Sequence, residues 1–220
     1  MTSKSTAAQP AVAYRHFNMI RDFTLADFVT LCNAASGFSS LLASLKFVTT
    51  QEYKWLQTAV LLLPLAFLFD VLDGHVARMS FRGTSPMGQE LDSLADIISF
   101  GCAPAVLGFA VGMQGLWDLI ILCYFVCCGV SRLARYNVYA SGIAEKDARG
   151  KIRYFEGTPI PMTILIAMWL LYLSVDGRIG QETLLFGKYI FFGWTFHPAV
   201  LVYALSGTLM ISRTIRIPKL

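Results

Sequence analysis

Charge is scarce in this sequence: Asp, Glu, Lys and Arg together make up only 15% of its 220 residues. A soluble domain carries about 25%, so a freely soluble globular protein is not the natural reading. The net charge of +4 invites nucleic acid as a partner, yet the basic residues form no patch interleaved with aromatics, and that class is set aside. Cysteine offers little chemistry either. Cys32, Cys102, Cys123, Cys127 and Cys128 all fall in apolar runs, with neither a disulfide framework nor paired metal-ligand spacing, and read as packing residues. Residues 1–14 also lack the apolar core of about seven residues that a secretory signal needs, since Ala11-Val-Ala is all they offer. They read as a disordered tail expected to stay on the cytoplasmic side.

What the chain has in abundance is apolar surface. Hydrophobic residues make up 55% of it and the mean hydropathy is +0.57, which is a membrane composition. Residues 15–27 mix Phe17, Met19, Ile20, Phe23 and Leu25 with Arg15, Arg21 and Asp22, as a short amphipathic helix in the membrane interface would; a plain cap on the next helix is the simpler alternative. Six apolar segments follow, near Phe28 to Val48, Leu56 to Met79, Leu91 to Gly112, Leu116 to Val138, Pro159 to Asp176 and Phe196 to Ser212. Each approaches the ~20 residues that cross a ~30 Å hydrocarbon layer. The expected fold is therefore all-α: residues 28–220 form an integral membrane bundle of six transmembrane helices, preceded by the interfacial helix. The run Leu184 to Trp194 contains Lys188 and is too short to cross, so it is expected to be interfacial or re-entrant.

Lys and Arg placement gives the orientation. With both termini inside, only Lys46, Lys54, Arg178 and Lys188 fall outside, and the other 14 of the 18 basic residues lie within. Trp55, Trp117 and Trp194 then all reach the outer interface, where indole rings favour the headgroup level.

Against this apolar background four aspartates stand out. Asp70 and Asp73 are three apart and Asp92 and Asp96 four apart, so each pair shares a helix face. The topology puts both pairs near the cytoplasmic ends of adjacent antiparallel spans. Buried carboxylates need a positive partner, and oxygen ligands converging in a dry cavity suit Mg2+ or Mn2+. Two such ions a few Å apart would stabilise the attacking and leaving oxygens of a phosphoryl displacement. Gly74, Ala77 and Gly88 lie at helical spacing from the acids and leave room for a bulky ligand; Arg78 supplies a fork for a phosphate oxygen. Taken singly, an intramembrane Asp also fits a proton relay, and Gly88 also fits helix packing. His75 points off the acidic face, while His16 and His197 gather with no other ligands.

The pattern D-x-x-D-G-x-x-A-R, nine residues, then G-x-x-x-D-x-x-x-D resembles the signature of the CDP-alcohol phosphotransferases, six-helix membrane enzymes. Asp70, Asp73, Gly74, Ala77, Arg78, Gly88, Asp92 and Asp96 fill every fixed position. Met87 to Asp96, Ser131 to Asn137, Tyr154 to Pro161 and the ending Ile217-Pro-Lys narrow the likeness, over about residues 16–220, to the fungal branch that uses CDP-diacylglycerol and L-serine. That resemblance implies transfer of a phosphatidyl group to the serine hydroxyl with release of CMP. It implies a pair of divalent ions on the four aspartates, Asp96 as general base, and a nucleotide pocket lined by Gly74, Ala77, Arg78 and Gly88 with Asn33 nearby. It also suggests a homodimer and, with the missing signal, the endoplasmic reticulum membrane.

Serine is a small zwitterion, so its pocket needs a cation and an acceptor. Arg132 and Arg135, at the inner end of the fourth span, are the candidate cations, with Tyr136 and Asn137 beside them; the likeness places Arg135 and Tyr136 at the serine site. Glu156 is the candidate for the ammonium. Charge that merely stops a helix at the interface is the plainer reading of Arg132. Choline, inositol phosphate or glycerol phosphate are alternative acceptors. A proton- or ion-coupled transporter is the alternative from another class, although it calls for inverted repeats and midplane acids, neither of which is evident.

Overall fold

The computed structural model describes residues 23–79, 86–140, 154–180, 182–212 and 216–218. The tail 1–14 and most of the expected interfacial helix lie outside them. Helix α1 (Leu25–Thr50) starts at a capping box: Asp27 Oδ2 accepts the Thr24 N–H at 2.7 Å, and Thr24 Oγ1 accepts the Asp27 N–H at 3.4 Å. The cap, rather than the hydropathy pattern, sets this boundary, so Leu25 to Asp27 belong to the first spanning helix. A tight turn with Gln51 at φ 55° reverses the chain into α2 (Tyr53–Met79).

Helix α3 (Pro86–Asp96) continues through a π-helical turn (Ile97–Cys102) into α4 (Ala103–Ala110), giving one apolar run from Met87 to Ala110. That run is 61% buried against 28–39% for the other long helices, so it is the centre of the bundle. Helix α5 (Leu116–Ala140) returns antiparallel to it. A 3-10 turn at Ile160–Thr163 leads into α6 (Ile164–Val175), and another at Pro198–Val200 into α7 (Leu201–Ile211).

The fold is thus an all-α membrane bundle. Four helices, Leu25–Thr50, Tyr53–Met79, Met87–Ala110 and Leu116–Val138, are long and apolar enough to cross a bilayer; the apolar helices Ile160–Val175 and Pro198–Ile211 are shorter. At 1.5 Å per residue the short pair reach roughly 21–24 Å, less than the ~30 Å hydrocarbon layer.

Among the described residues, extended structure is confined to two ribbons. Strand β1 (Tyr154–Glu156) pairs antiparallel with β4 (Arg216–Pro218), and β2 (Tyr189–Phe191) with β3 (Trp194–Phe196). The run Leu184 to Trp194 is built around a hairpin. Its aromatic and β-branched residues favour strands, and Phe192 and Gly193, both at positive φ (52° and 79°), supply the two-residue turn. The cysteines also depart from expectation. Only Cys128 is buried, while Cys32, Cys123 and Cys127 are exposed, because an apolar helix in a bilayer turns part of its surface to lipid rather than to its neighbours.

The end of the bundle near the α4–α5 turn is tied by a buried pair. Asp118 accepts the Gly115 N–H at 2.9 Å and the His197 N–H at 2.9 Å, and its Oδ2 lies 2.5 Å from His197 Nδ1. Asp118 is fully buried and His197 almost so. The carboxylate caps α5 and anchors the chain entering α7. At the same end the Trp117 indole N–H donates to Phe191 O at 3.1 Å, docking the hairpin. Lys54 and the Trp55 indole N–H hold the Glu52 carboxyl below its usual range. Asp118→Ala, which leaves two buried N–H groups without an acceptor, is expected to destabilise the fold by about 2 kcal/mol or more; a clear drop in the thermal unfolding midpoint of the detergent-solubilised protein is the measurement.

Candidate active site

Helix geometry brings the acids together. Asp70 and Asp73 sit in the last turns of α2, and Asp92 and Asp96 in the second half of α3, whose start faces the same end. One carboxyl oxygen each from Asp70, Asp73 and Asp92 lie within 4.8 Å of one another. Asp96 stands outside that trio and bonds instead to Asn33, whose Nδ2 donates to Asp96 Oδ1 at 3.4 Å, and to Asp70. Asp73 and Asp96 are buried, and Asp70 and Asp92 half-buried.

Helix α1 supplies the wall behind them. Thr30 Oγ1 donates to Asp73 Oδ2 at 2.6 Å, and Asp27 lies close enough for its charge to act on Asp73. Asp27, Thr30 and Asn33, spaced three apart, form one buried polar face. A close helix crossing sets their depth: a Cβ on Gly37 would fall 2.6 Å from Ser99 Cα, so only glycine allows this approach. Ser99 Oγ then donates to the Asn33 carbonyl at 3.0 Å. Ser99 belongs to the π-helical turn that follows Asp96 directly, and such turns are frequent at functional sites because they re-aim the residues beside them.

The glycine and arginine positions of the signature are placed as follows. Gly74 is half-buried, and a Cβ there would meet only the far end of Arg78, at 4.0 Å, so space remains for a ligand. Ala77 and Gly88 are half-buried. Arg78 is exposed and its Nε donates back to the Gly74 carbonyl at 2.9 Å. His75 is exposed and apart from the acids. His197 is at the far end of the bundle in the pair with Asp118, and His16 lies outside the described residues.

Helix α5 closes the opposite side. Arg132 and Arg135 are half-buried one turn apart, and Arg132 is within electrostatic range of Asp96, Arg135 and Tyr136. Arg132 Nε and Arg135 Nη2 are buried with no partner among the described residues. Tyr136 is exposed. Two buried guanidinium N–H groups left unpaired beside an acidic cluster call for an anionic ligand. Glu156 lies in β1, opposite Arg216 of β4; its side chain is outside the described residues.

The donor set fits a hard divalent cation. Three carboxylates converge, and Asp92 Oδ1 and Asn33 Oδ1 are buried oxygens without a hydrogen-bond donor. Thr30 was not singled out from the sequence, although the polar stripe Asp27, Thr30, Asn33, Ser36, Ser40 and Ser44 runs along an otherwise apolar helix and all six residues are buried.

A membrane bundle that gathers the acids of one long signature at the edge of its helices defines a class, and residues 23–206 match that class directly: the chain belongs to the CDP-alcohol phosphatidyltransferase family. Among curated proteins it is 43% identical, over 93% of its own length and 74% of the relative's, to the CDP-diacylglycerol-serine O-phosphatidyltransferase of Saccharomyces cerevisiae. It is 38% identical to the archaetidylserine synthase of Methanothermobacter thermautotrophicus, covering 63% of this chain and 53% of that one. Against the CDP-diacylglycerol-serine O-phosphatidyltransferase of Bacillus subtilis the identity is 36%, over 56% and 63% of the two chains.

Thr30→Val keeps the shape of the side chain and removes the hydroxyl that orients Asp73. It is expected to weaken Mn2+ binding about tenfold or more, as losses of an outer hydrogen bond to a metal ligand do. Calorimetric titration of the purified protein with Mn2+ is the check.

Proposed function

We propose that this protein transfers the phosphatidyl group of CDP-diacylglycerol to the hydroxyl of L-serine, giving phosphatidylserine and CMP. The observation that carries the proposal is the juxtaposition of the buried and half-buried acids on α2 and α3 with two half-buried arginines on α5, each with a buried N–H group that lacks a partner among the described residues. The printed activities of the yeast and Bacillus relatives support it.

On this reading Asp70, Asp73, Asp92 and Asp96 hold two divalent ions, Mg2+ or Mn2+. When bound, these ions neutralise phosphate charge and stabilise the attacking and leaving oxygens. Asp96 is the general base: it takes the proton of the serine hydroxyl as that oxygen forms its bond to the phosphatidyl phosphorus and the bond to the CMP oxygen breaks. Asn33 orients the Asp96 carboxyl, and Thr30 that of Asp73. Gly74, Ala77 and Gly88 line the cytidine and pyrophosphate pocket, and Arg78 turns from the Gly74 carbonyl to a phosphate oxygen. Arg132 and Arg135 receive the serine carboxylate with Tyr136 beside them, and Glu156 meets the ammonium.

The same reading carries the topology. Six crossings place both termini and the site on the cytoplasmic side of the endoplasmic reticulum membrane, where lipid and soluble amino acid both have access. The protein functions as a homodimer.

Purified protein supplied with CDP-diacylglycerol, Mn2+ and a panel of alcohols is expected to release CMP with serine. No release with serine refutes the acceptor, and release with choline or inositol phosphate reassigns it within the family. Asp96→Asn is expected to abolish turnover while CDP-diacylglycerol still binds; near-normal turnover removes Asp96 as the base. Arg135→Ala is expected to raise the serine KM tenfold or more, the scale of a lost charge-assisted bond, and unchanged serine kinetics exclude it from the pocket.

A further inference from the structure

The two halves of the site sit on different helices, and one side chain spans them. Asn137 Nδ2 donates to Glu90 Oε2 at 3.1 Å, and Asn137 Oδ1 accepts from Ser93 Oγ at 3.1 Å. Glu90 and Ser93 lie three apart on α3 and flank Asp92 closely; Asn137 follows Tyr136 directly and lies two residues past Arg135 on α5. The amide is polarised for this position. Glu90, when ionised, can only accept, so the NH2 end must face it and the carbonyl end must face the Ser93 hydroxyl. The Ser93 hydroxyl has a single proton, which it shares between Asn137 Oδ1 at 3.1 Å and the Gln89 carbonyl at 3.2 Å.

Among the described residues, few buried side chains support this part of α5. Leu133 is the last buried side chain described on the helix, and Ala134, Tyr136 and Val138 beyond it are exposed. Polar bonds therefore carry a larger share of the positioning there than in the bundle interior. A rotation of this turn would carry Arg135 and Tyr136 with it.

We propose that Asn137 is a positioning residue for the acceptor: its amide fixes the turn bearing Arg135 and Tyr136 against the helix bearing Asp92 and Asp96, and so sets affinity for the amino acid without touching it. The inference rests on the reading of α5 as the serine site. It separates two kinds of substrate binding, because the clamp acts on α5 and the nucleotide side of the site lies on α2 and α3.

The test is steady-state CMP release by the full-length protein in detergent with Mn2+, varying serine and CDP-diacylglycerol in turn. Asn137→Ala and Glu90→Ala, which cut the same bond from its two ends, are each expected to raise the serine KM about tenfold and to change the CDP-diacylglycerol KM less than twofold. The double variant is expected to be no worse than either single one, since the bond is lost only once. Glu90→Gln, whose amide oxygen still accepts, recovers most of what Glu90→Ala loses, and Asn137→Asp, which sets an acceptor against an acceptor, is the most impaired. Unchanged serine KM in both alanine variants overturns the inference, as does an equal rise in both Michaelis constants with a fall in the thermal midpoint, which marks a general structural role. Wild-type protein that releases no CMP with serine overturns the acceptor reading and this inference with it.

Discussion

Like charges forced together among apolar helices are the constraint to which the rest of this structure responds. Two carboxylates within 4.8 Å of each other repel by about 3.5 kcal/mol at an effective dielectric near 20, and here three meet with a fourth adjacent. No packing of apolar helices offsets that repulsion by itself. The bundle meets it with fixed dipoles and counter-charge. Thr30 and Asn33 place an O–H and an N–H against two of the acids, and Arg132 approaches from the other side. Oxygens remain without donors, which is the unfinished electrostatics that a divalent cation completes.

Holding that arrangement in lipid requires close contacts, since tails as apolar as leucine give helices no solvent-driven reason to associate. Small residues and side-chain bonds to backbone take over. Gly37 lets α1 settle on the π-helical turn, and Ser40 Oγ donates to the Ala59 carbonyl at 2.7 Å between α1 and α2. Tyr203 OH donates to the Pro104 carbonyl at 2.6 Å between α7 and α4. At the far end the Asp118–His197 pair replaces what a soluble protein would entrust to a hydrophobic core. The bundle is thus polar at both ends for different reasons: one end locks, and the other keeps its valences open for ligands.

The signature from Asp70 to Asp96 was legible in the sequence because acids on apolar helices stand out, and their spacing follows directly from helical periodicity. The long spans were legible for the same reason. Other features were written in weaker signals. The α1 stripe has ordinary residue types whose meaning depends on which face is buried, so Thr30 was passed over. The hairpin at Tyr189–Phe196 was hidden in an apolar run, because strand and interfacial helix share a composition and only the Phe192-Gly193 turn separates them. Asp118 and His197 are 79 residues apart, and no local pattern joins them. Likewise Thr24 with Asp27 starts α1 ahead of its apolar run, a cap outweighing hydropathy.

These distinctions divide the site by the kind of constraint each element bears. Helices α1, α2 and α3 are bound to one another by the acids, by the Gly37 crossing and by the bonds to Asp73 and Asp96; moving any of them disturbs the cation-binding oxygens. Helix α5 bears Arg132 and Arg135 on either side of Leu133, its last buried side chain described, and is joined to α3 by an amide. A donor that is shared across a family belongs on the rigid side, where change is costly. An acceptor that differs between members belongs on the side where one helix turn can shift or change residues while the acids stay put. On the proposed reading, Asn137 couples the acceptor half of the site to the half that holds the acids through a bond whose removal leaves the acids themselves intact.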